Sequence, residues 1–319
     1  MDSILNITNG DSAVDIMHQA GLPGHFLPWR DVLHDGPVPE NLNNTELAGV
    51  RAKFIAAMGW AKESDVFESF VQRDQLLEQG QQFDKVLLWF EHDLYDQLQI
   101  LQILDGLSRV DLQSTELSMV CTDNYLGYRT PEDIAELLEF ESPITTDQIE
   151  LSCKAWLAFR SPTPELWNDL INHDTNALLF LEGAVIRLLQ EYPDHQSGLS
   201  RTASSCLELI ANNEFHPGRL FRAYQDTEER RFMGDLSFWK VLEEMLQSDY
   251  PLIALPHGKR ELNPGDFSDV LKLTDLGQEV LSGKVNWLEK HTIDKWIGGV
   301  RLTQDNIWYW NSKNNLIQR

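Results

Sequence analysis

Polar side chains able to bind a ligand or transfer a proton follow four short apolar runs in the N-terminal part of the chain. If these runs are neighbouring parallel strands, their carboxyl ends meet at one edge of a sheet, where ligands of such folds bind. Carboxylate and amide oxygens suit a divalent cation, and a guanidinium suits a phosphate. The set consists of Asn9, Asp11 and Ser12 after the first run, Arg30, Asp31, His34 and Asp35 after the second, Glu91, His92, Asp93 and Asp96 after the third, and Thr122, Asp123 and Asn124 after the fourth.

The third run, residues 85–90, ends in a carboxylate and an imidazole that a buried strand would hold partly out of water. Such surroundings shift pKa values readily, which suits groups that transfer protons. We therefore predict Glu91, His92 and Asp93 as catalytic residues, and we leave metal ligands open. The predicted ligand-binding residues are Asn9, Asp11, Ser12, Arg30, Asp31 and Asp123.

Helix capping is the alternative explanation for several of these residues. Asp93 with Asp96 three positions later resembles an N-cap with its capping-box partner, and Ser12 with Asp15 shows the same spacing. The helix dipole also favours acidic residues in the first turn. Capping is the simpler interpretation for Ser12 and Asp93, whereas catalysis and structure are equally open for Glu91 and the histidine after it.

Several standard catalytic and nucleotide-binding signatures are absent from the sequence. Gly10 stands alone, so the chain has neither the glycine pattern of Rossmann dinucleotide binding nor that of a P-loop. It has no H-E-x-x-H motif and no G-x-S-x-G nucleophile elbow. A ligand site on this chain therefore does not belong to those common classes.

The elements that would position the polar residues alternate between strand and helix. The third apolar run is continuous, as is typical of a parallel strand that is covered on both faces. The segments between the apolar runs have their apolar residues at helical spacing. This alternation predicts an α/β domain with a mostly parallel sheet and right-handed crossovers. The predicted strands are residues 4–8, 25–27, 85–90 and 116–121.

The pattern changes near Pro143, where a cluster of polar residues ends the alternation and helical spacing begins. Further along, three helices, two short strands and a closing helix follow one another, which is the order of a winged helix. Two aromatic runs, 296–302 and 307–310, then predict a hairpin. We predict three parts: an acidic α/β domain (1–140), a helical connector (141–198) and a winged-helix-like domain with a terminal hairpin (199–319).

Composition and charge exclude several classes of protein. The chain has 319 residues, of which 42% are hydrophobic, and its formal net charge is −24. It has no run of about 18 apolar residues, so we predict no membrane span. The N-terminal residues lack the basic and apolar regions of a signal peptide. Cys121, Cys153 and Cys206 are too far apart for a disulfide framework or a metal knuckle, and we predict free thiols in a cytoplasmic protein.

Three segments of the N-terminal part resemble a bacterial protein family. They are residues 7–12 (Ile-Thr-Asn-Gly-Asp-Ser), residues 27–38, which begin Leu-Pro-Trp-Arg-Asp, and residues 89–98, which begin Trp-Phe-Glu-His-Asp. On these motifs the chain resembles the uncharacterised family catalogued as domain of unknown function 1835. Members of that family often carry a second uncharacterised domain ending in a Trp-Ile-Gly-Gly-like strand, similar to residues 296–299. The resemblance implies this domain layout and no particular activity.

Two functional hypotheses follow, and a third is disfavoured. The chain is an enzyme or sensor for a small phosphorylated or nucleotide-like ligand, with a divalent metal as a compatible cofactor. Alternatively, it is a regulatory or adaptor protein whose winged-helix-like domain contacts a protein partner. Arg219 and Arg222 lie where a winged helix has its recognition helix, so DNA binding is the third hypothesis. The net charge of −24 opposes it, because affinity for DNA depends on basic residues neutralising phosphates.

We expect no salt-sensitive binding to duplex DNA tighter than roughly micromolar at physiological ionic strength, because such binding depends on phosphate neutralisation. Fluorescence anisotropy of a labelled duplex, titrated with the protein at low and at high salt, measures this affinity. Tight binding that is weakened by salt and by Arg219→Ala or Arg222→Ala would contradict the prediction and support the third hypothesis.

Overall fold

The chain forms two compact units in the computed structural model, which describes residues 3–213, 215–263 and 269–319. The first unit contains the residues up to Val185 together with Gly298–Val300, and the second contains Ile186–Ile297 and Arg301–Arg319. The predicted connector, 141–198, is divided between the two units. Neither predicted boundary, at 140 or at 198, therefore coincides with this division.

Strands and helices alternate in the first unit, and every predicted strand of the α/β region is present, with ends within one residue of the predicted ones. No helix in the described ranges is both long enough and apolar enough to span a bilayer. The elements are β1 (Ile4–Thr8), α1 (Asp11–Gln19), β2 (His25–Pro28), β3 (Gly36–Pro37), α2 (Asn44–Ala57), α3 (Glu63–Glu78), β4 (Lys85–Glu91), α4 (Leu94–Leu107), β5 (Glu116–Thr122), α5 (Pro131–Glu136), β6 (Ser142–Pro143), α6 (Thr146–Arg160), α7 (Glu165–Asp169), α8 (Leu181–Leu189), α9 (Arg201–Asn212), α10 (Pro217–Gln225), α11 (Asp235–Gln247), β7 (Ile253–Ala254), β8 (Lys272–Leu273), α12 (Asp275–Leu281), β9 (Asp294–Gly298), β10 (Val300–Thr303), β11 (Tyr309–Asn311) and β12 (Leu316–Gln318).

The main sheet of the first unit has the strand order β2-β1-β4-β5-β6. The first four strands are parallel, and the short edge strand β6 runs antiparallel to β5. The predicted α/β region with a mostly parallel sheet is therefore confirmed. Strand β1 has β2 on one side and β4 on the other, so the strand order reverses between β1 and β4. The crevice outside the carboxyl ends at such a point is the usual ligand site of an open parallel sheet.

Strand β4 is central in this sheet and is buried along residues 86–91. On one face of the sheet, Trp89 packs in a cluster with Met17 of α1 and Ile134 of α5, and helix α4 also contacts β4. Burying one large apolar side chain stabilises a fold by roughly 1.5–3 kcal/mol. The apolar residues of β4 therefore fix the position of the polar residues that follow them.

The second unit contains helices α9, α10 and α11 around an apolar core, to which each contributes a fully buried residue: Cys206, Leu220 and Phe238. Strands β7 and β8 form an antiparallel pair, and α12 follows β8 directly. Helix α12 approaches this pair so closely that a Cβ at Gly277 would lie 2.1 Å from the carbonyl oxygen of Leu252. Part of the predicted loop between β7 and β8 lies outside the described residues.

The C-terminal strands differ from the predicted single hairpin. The run 296–302 is divided at Gly298, whose φ of +57° is in the left-handed region, and the resulting strands β9 and β10 lie side by side. Strand β11 pairs instead with β12, with Trp310 opposite Ile317. A Cβ at Gly299 would lie 1.9 Å from the carbonyl oxygen of Arg160. The two glycines therefore permit a turn inside what hydrophobic alternation predicts as one strand.

Candidate functional site

The carboxyl ends of β1 and β4 are joined by the side chain of Asn9. Its Nδ2 donates to Glu91 Oε1 at 3.0 Å and to the two carboxylate oxygens of Asp96 at 3.1 and 3.0 Å. Glu91 is the last residue of β4, and Asp96 lies in the first turn of α4. The structure thus brings the loop after β1 to the loop after β4, at the point where the strand order reverses.

Glu91, Asp93 and Asp96 form a buried group of three carboxyls, here called the carboxyl cluster. Their exposed fractions are 4%, 3% and 1%. Glu91 Oε1 accepts a second hydrogen bond from the backbone N–H of Leu126 at 2.7 Å. Asp96 Oδ2 accepts from the backbone N–H of Glu91 at 2.5 Å. These donors are uncharged amides, and a further side-chain hydrogen bond joins Glu91 to Asp93.

Capping explains only part of this arrangement. Asp93 is the N-cap of α4, because its Oδ1 accepts from the backbone N–H of Asp96 at 3.2 Å. Asp96 does not complete a capping box, since its carboxylate bonds the N–H of Glu91 rather than that of Asp93. The capping predicted for Ser12 is wrong: helix α1 begins one residue earlier, after Gly10, and has no side-chain cap.

Burial raises the pKa of all three carboxyl groups. For Asp93, burial and the charge of Glu91 raise the pKa to about 8. Burial, followed by repulsion from Asp93 and Glu91, raises the pKa of Asp96 well above its usual range. Burial also raises the pKa of Glu91, against the lowering effect of its hydrogen bonds from Leu126 and Asn9. Because like charges this close cannot all be ionised, the cluster retains at least one proton near neutral pH.

No lysine or arginine forms an ion pair with the carboxyl cluster in the part of the chain that the structure describes. Within the same residues, no group of three or more His, Cys, Asp or Glu side chains is arranged to hold a metal ion. The amide donors around the cluster suit carboxyl groups that share a proton. The geometry therefore gives proton transfer more support than metal binding.

Asp11, Ser12 and Arg30 lie on the exposed part of the same sheet edge. Arg30 Nε and Nη2 donate to the two carboxylate oxygens of Asp11 at 2.7 and 2.5 Å. Both side chains are half exposed or more, at 50% and 63%. Hydrogen bonding from Arg30 lowers the pKa of Asp11. This pair and Ser12 are thus accessible to a ligand, whereas the carboxyl cluster is not exposed.

Asp31 has a structural partner that makes it a poor candidate for ligand binding. It is buried, and its Oδ1 accepts from Arg51 Nε at 3.0 Å and from Arg51 Nη2 at 2.7 Å. Both side chains are at most 1% exposed. Removing one partner of such a pair leaves an uncompensated buried charge, which is strongly destabilising. In this structure Asp31 holds the loop after β2 against α2.

The two remaining predicted residues are His92 and Asp123. His92 is 9% exposed, and its ring centroid lies 5.7 Å from that of Tyr125 and 5.8 Å from that of Phe180. Asp123 is exposed, and its carboxylate accepts from the side-chain amide of Asn124 at 2.8 Å. His92 therefore adjoins the carboxyl cluster within an aromatic environment, and Asp123 lies on the solvent side of the edge.

Two members of the site are not among the predicted catalytic and ligand-binding residues, although Asp96 belongs to the set of polar residues after the third run. Asp96 follows β4 but was interpreted as a capping partner, whereas its carboxylate links Asn9 to the backbone of Glu91. The backbone N–H of Leu126 bonds Glu91, and no side-chain pattern signals a backbone donor. The sign available in the sequence is the acidic residue in the first turn of α4, which follows the N-cap acid Asp93.

Comparisons with known proteins do not identify a relative: no protein-family model matches the chain, and no curated protein matches it. The geometry of the sheet edge is therefore the evidence that bears on function in the first unit.

Replacing Asp93 by Asn should make stability less sensitive to rising pH. Asn preserves N-capping but cannot ionise. The folded-state pKa of Asp93 is raised, so its stabilising contribution is present below the unfolded pKa and is lost as pH rises towards about 8. Relative to Asp93→Asn, the free energy of unfolding of the parent should therefore fall by up to about 1.4 kcal/mol per pH unit.

Urea unfolding at intervals between about pH 5 and about pH 8 measures this difference in slope. Asp123→Asn is the matched control, because it changes an exposed carboxylate of the same sheet edge. Parallel stability curves for the parent and Asp93→Asn would show that the Asp93 carboxyl group does not hold the proton.

Proposed function

We propose that the first unit binds a small phosphorylated or nucleotide-like ligand at the carboxyl edge of its sheet and transfers a proton there. One observation carries this proposal: a buried carboxyl cluster lies where the strand order reverses. Burying ionisable groups without an opposite charge costs folding free energy. Stability therefore gives no reason for the cluster, whereas proton transfer to a ligand does.

Asp93 is the group best suited to give and take the proton. Its pKa of about 8 is close to neutral pH, where a general acid or base works most efficiently. Glu91 and His92 are the other proposed proton-transfer residues, because they are the two residues that precede Asp93 in the chain. Asn9, which is half-buried, orients Glu91 from the loop after β1. A ligand oxygen bound beside Asn9 would contact the carboxyl cluster from the solvent-exposed side of the sheet edge.

Arg30 and the first turn of α1 supply the proposed phosphate site. Because no side chain caps α1, backbone N–H groups at its N-terminus are available to an anion. The Arg30 guanidinium already bonds the Asp11 carboxylate through two nitrogens, and a phosphate presents the same pair of acceptors. Ser12, exposed in the same turn, adds a hydroxyl donor. The ligand phosphate would therefore replace Asp11 as the partner of Arg30.

A nucleotide or a simple phosphate should raise the melting temperature of the parent, because a ligand of the folded state stabilises it by about 2.7 kcal/mol at 100 times its Kd. A thermal-shift screen with inorganic phosphate, pyrophosphate, ADP and GDP, each with and without Mg²⁺, measures this. Arg30→Ala should abolish the shift. Glu91→Gln and His92→Ala should also abolish the ligand-induced rise in melting temperature. The melting temperatures of these two variants without ligand should equal or exceed that of the parent, as expected of groups held for function.

Arg109→Ala is the matched control for Arg30→Ala, because Arg109 is also an exposed arginine of the first unit and pairs with a carboxylate, that of Asp105. It should retain the ligand shift in full. If none of the probes shifts the parent, and Glu91→Gln and His92→Ala lower the melting temperature strongly, the edge is a structural feature and the proposal fails.

The three segments that resemble the family of domain of unknown function 1835 include the carboxyl ends of β1, β2 and β4. They therefore contain Asn9, Arg30 and Glu91, which supports a proposed relationship to that family centred on this edge. We also propose a cytoplasmic location, which agrees with free thiols at Cys121, Cys153 and Cys206.

A second candidate function is contact with an acidic protein partner through α10, in a winged-helix-like arrangement of residues 199–281. The order α9, α10, α11, β7, β8, α12 supports that arrangement. Arg219 and Arg222 lie about one turn apart on α10, both are exposed, and neither forms an ion pair with any residue the structure describes. Exposed arginines without acidic partners suit an acidic surface. The overall negative charge makes a protein surface a better candidate than DNA.

Charge reversal at both positions, Arg219→Glu with Arg222→Glu, should abolish capture of a partner that the parent retains from a cell extract. Mass spectrometry of the captured proteins measures the difference. Arg301→Glu is the control, because Arg301 is an exposed arginine of the second unit that pairs with Asp294. Identical captured sets for the parent and the double variant would exclude α10 as the contact surface.

A further inference from the structure

Three side chains of the second unit are aligned as a hydroxyl, an imidazole and a carboxylate. Ser248 Oγ lies 3.1 Å from His291 Nδ1, and His291 Nε2 lies 3.1 Å from Glu244 Oε1. With its proton on Nε2, the imidazole donates to Glu244 and accepts the hydrogen bond of the serine hydroxyl. Serine hydrolases have the same order of nucleophile, base and orienting acid and are defined by geometry rather than by sequence position. In them Nε2 faces the serine and Nδ1 the acid, whereas in this chain the two ring nitrogens exchange these roles.

One tryptophan holds both the imidazole and the loop that carries the serine. The rings of Trp287 and His291 stack with centroids 4.0 Å apart and planes 6° from parallel. Trp287 Nε1 donates to the carbonyl oxygen of Tyr250 at 2.9 Å, and the backbone N–H of Tyr250 donates to Ser248 Oγ at 3.1 Å. The hydroxyl and the imidazole are therefore fixed relative to each other, as a preorganised catalytic pair requires.

Donors for a developing negative charge are present beside Ser248. The N–H that follows the nucleophile is a common oxyanion donor, and the backbone N–H of Asp249 makes no hydrogen bond in the described part of the chain. Arg260 Nη2 donates to the carbonyl oxygen of Ser248 at 3.1 Å, which places a guanidinium next to the same residue. Ser248 is half-buried at the end of α11 and so remains accessible to a small molecule.

We propose that Ser248, His291 and Glu244 form an acyl-transfer site for small carboxylic esters. The exposed Asp249 follows Ser248 in the chain, and the Arg260 guanidinium donates to the Ser248 carbonyl oxygen. Charges of both signs are thus beside the serine, so an uncharged ester is favoured over a charged one. The half-exposed position at a helix end suits a short acyl group. Ser248 and His291 are the proposed catalytic residues, and Glu244 is a positioning residue that acts through the imidazole.

The reaction has two balanced steps. In the first, a bond forms between Ser248 Oγ and the acyl carbon while the bond from that carbon to the alcohol oxygen breaks. The serine proton passes to His291 and from there to the departing alcohol. In the second, a bond forms between the water oxygen and the acyl carbon while the bond from that carbon to Ser248 Oγ breaks. The water proton passes through His291 to Ser248 Oγ, and the carboxylic acid leaves. Neither step needs a metal or a redox partner.

Labelling with a fluorophosphonate tests the nucleophile directly in the full chain. Ser248 Oγ forms a bond to phosphorus, the phosphorus–fluorine bond breaks, fluoride leaves and His291 takes the proton. Mass spectrometry of the digested protein should locate the label on Ser248. Ser248→Ala should remove it, and His291→Ala should slow labelling about 100-fold or more, the usual contribution of a general base.

Ser282→Ala is the matched control, because Ser282 terminates α12 as Ser248 terminates α11. It should leave labelling of Ser248 unchanged. If the reagent does not modify Ser248, this serine is not a nucleophile. If it modifies Ser248 equally fast in His291→Ala, His291 is not its general base. Either result overturns the proposal.

Hydrolysis of p-nitrophenyl acetate tests the positioning role. In Glu244→Gln, the side-chain amide can donate a hydrogen bond to His291 Nε2, which favours the tautomer with its proton on Nδ1. A protonated Nδ1 cannot accept the proton of the serine hydroxyl. We expect kcat to fall about 10-fold or more, at unchanged KM and unchanged melting temperature. Glu243→Gln, which changes a carboxylate paired with Lys240, is the control and should keep the parent kcat. An equal kcat in Glu244→Gln and the parent would overturn the role of Glu244.

Discussion

The hydrogen bonds of the Asn9 amide group are the constraint on which the sheet edge of the first unit depends. One nitrogen bonds the carboxyl groups of both Glu91 and Asp96, which would otherwise repel each other in a buried site. Those bonds join the loop after β1 to the end of β4 and to the first turn of α4. Asp11, which follows β1, and Arg30, which follows β2, lie on the exposed side of the same edge. The buried carboxyl cluster and the exposed pair of Asp11 and Arg30 therefore lie at one edge of the sheet, where one amide holds the ends of β1 and β4 together.

The strands and the edge they form could be predicted because their signals are local. Strand β4 is a continuous apolar run, and a strand of that kind must be covered on both faces, as the burial of residues 86–91 shows. The polar residues that end each run identify the carboxyl edge without any tertiary information. Asn9, Glu91 and Asp93 were predicted as site residues for this reason, and the structure brings them together.

Other features depended on contacts between distant parts of the chain and were not visible in local patterns. Asp31 matches the pattern of a ligand residue, but its partner Arg51 lies 20 residues away and neutralises it in the interior. Asp96 has the spacing of a capping partner, and only the fold shows that its carboxylate points to Asn9. In the second unit, 43 residues separate Ser248 from His291. Periodicity predicts which faces of helices are apolar, but it does not predict which polar groups meet across them.

The position of β1 inside the sheet, between β2 and β4, has a consequence for the order in which the chain folds. Strand β1 pairs with β2 close by in sequence, but its other neighbour is β4, and the Ser3 backbone N–H bonds the Asp84 carboxylate across 81 residues. Such long-range pairing is slow, because the chain loses the conformational entropy of a long loop before the contacts between the strands stabilise it. During synthesis, β1, α1 and β2 emerge well before β4. One edge of β1 therefore stays unpaired until helices α2 and α3 have been made, and in that interval the nascent chain is most exposed to pairing with other chains.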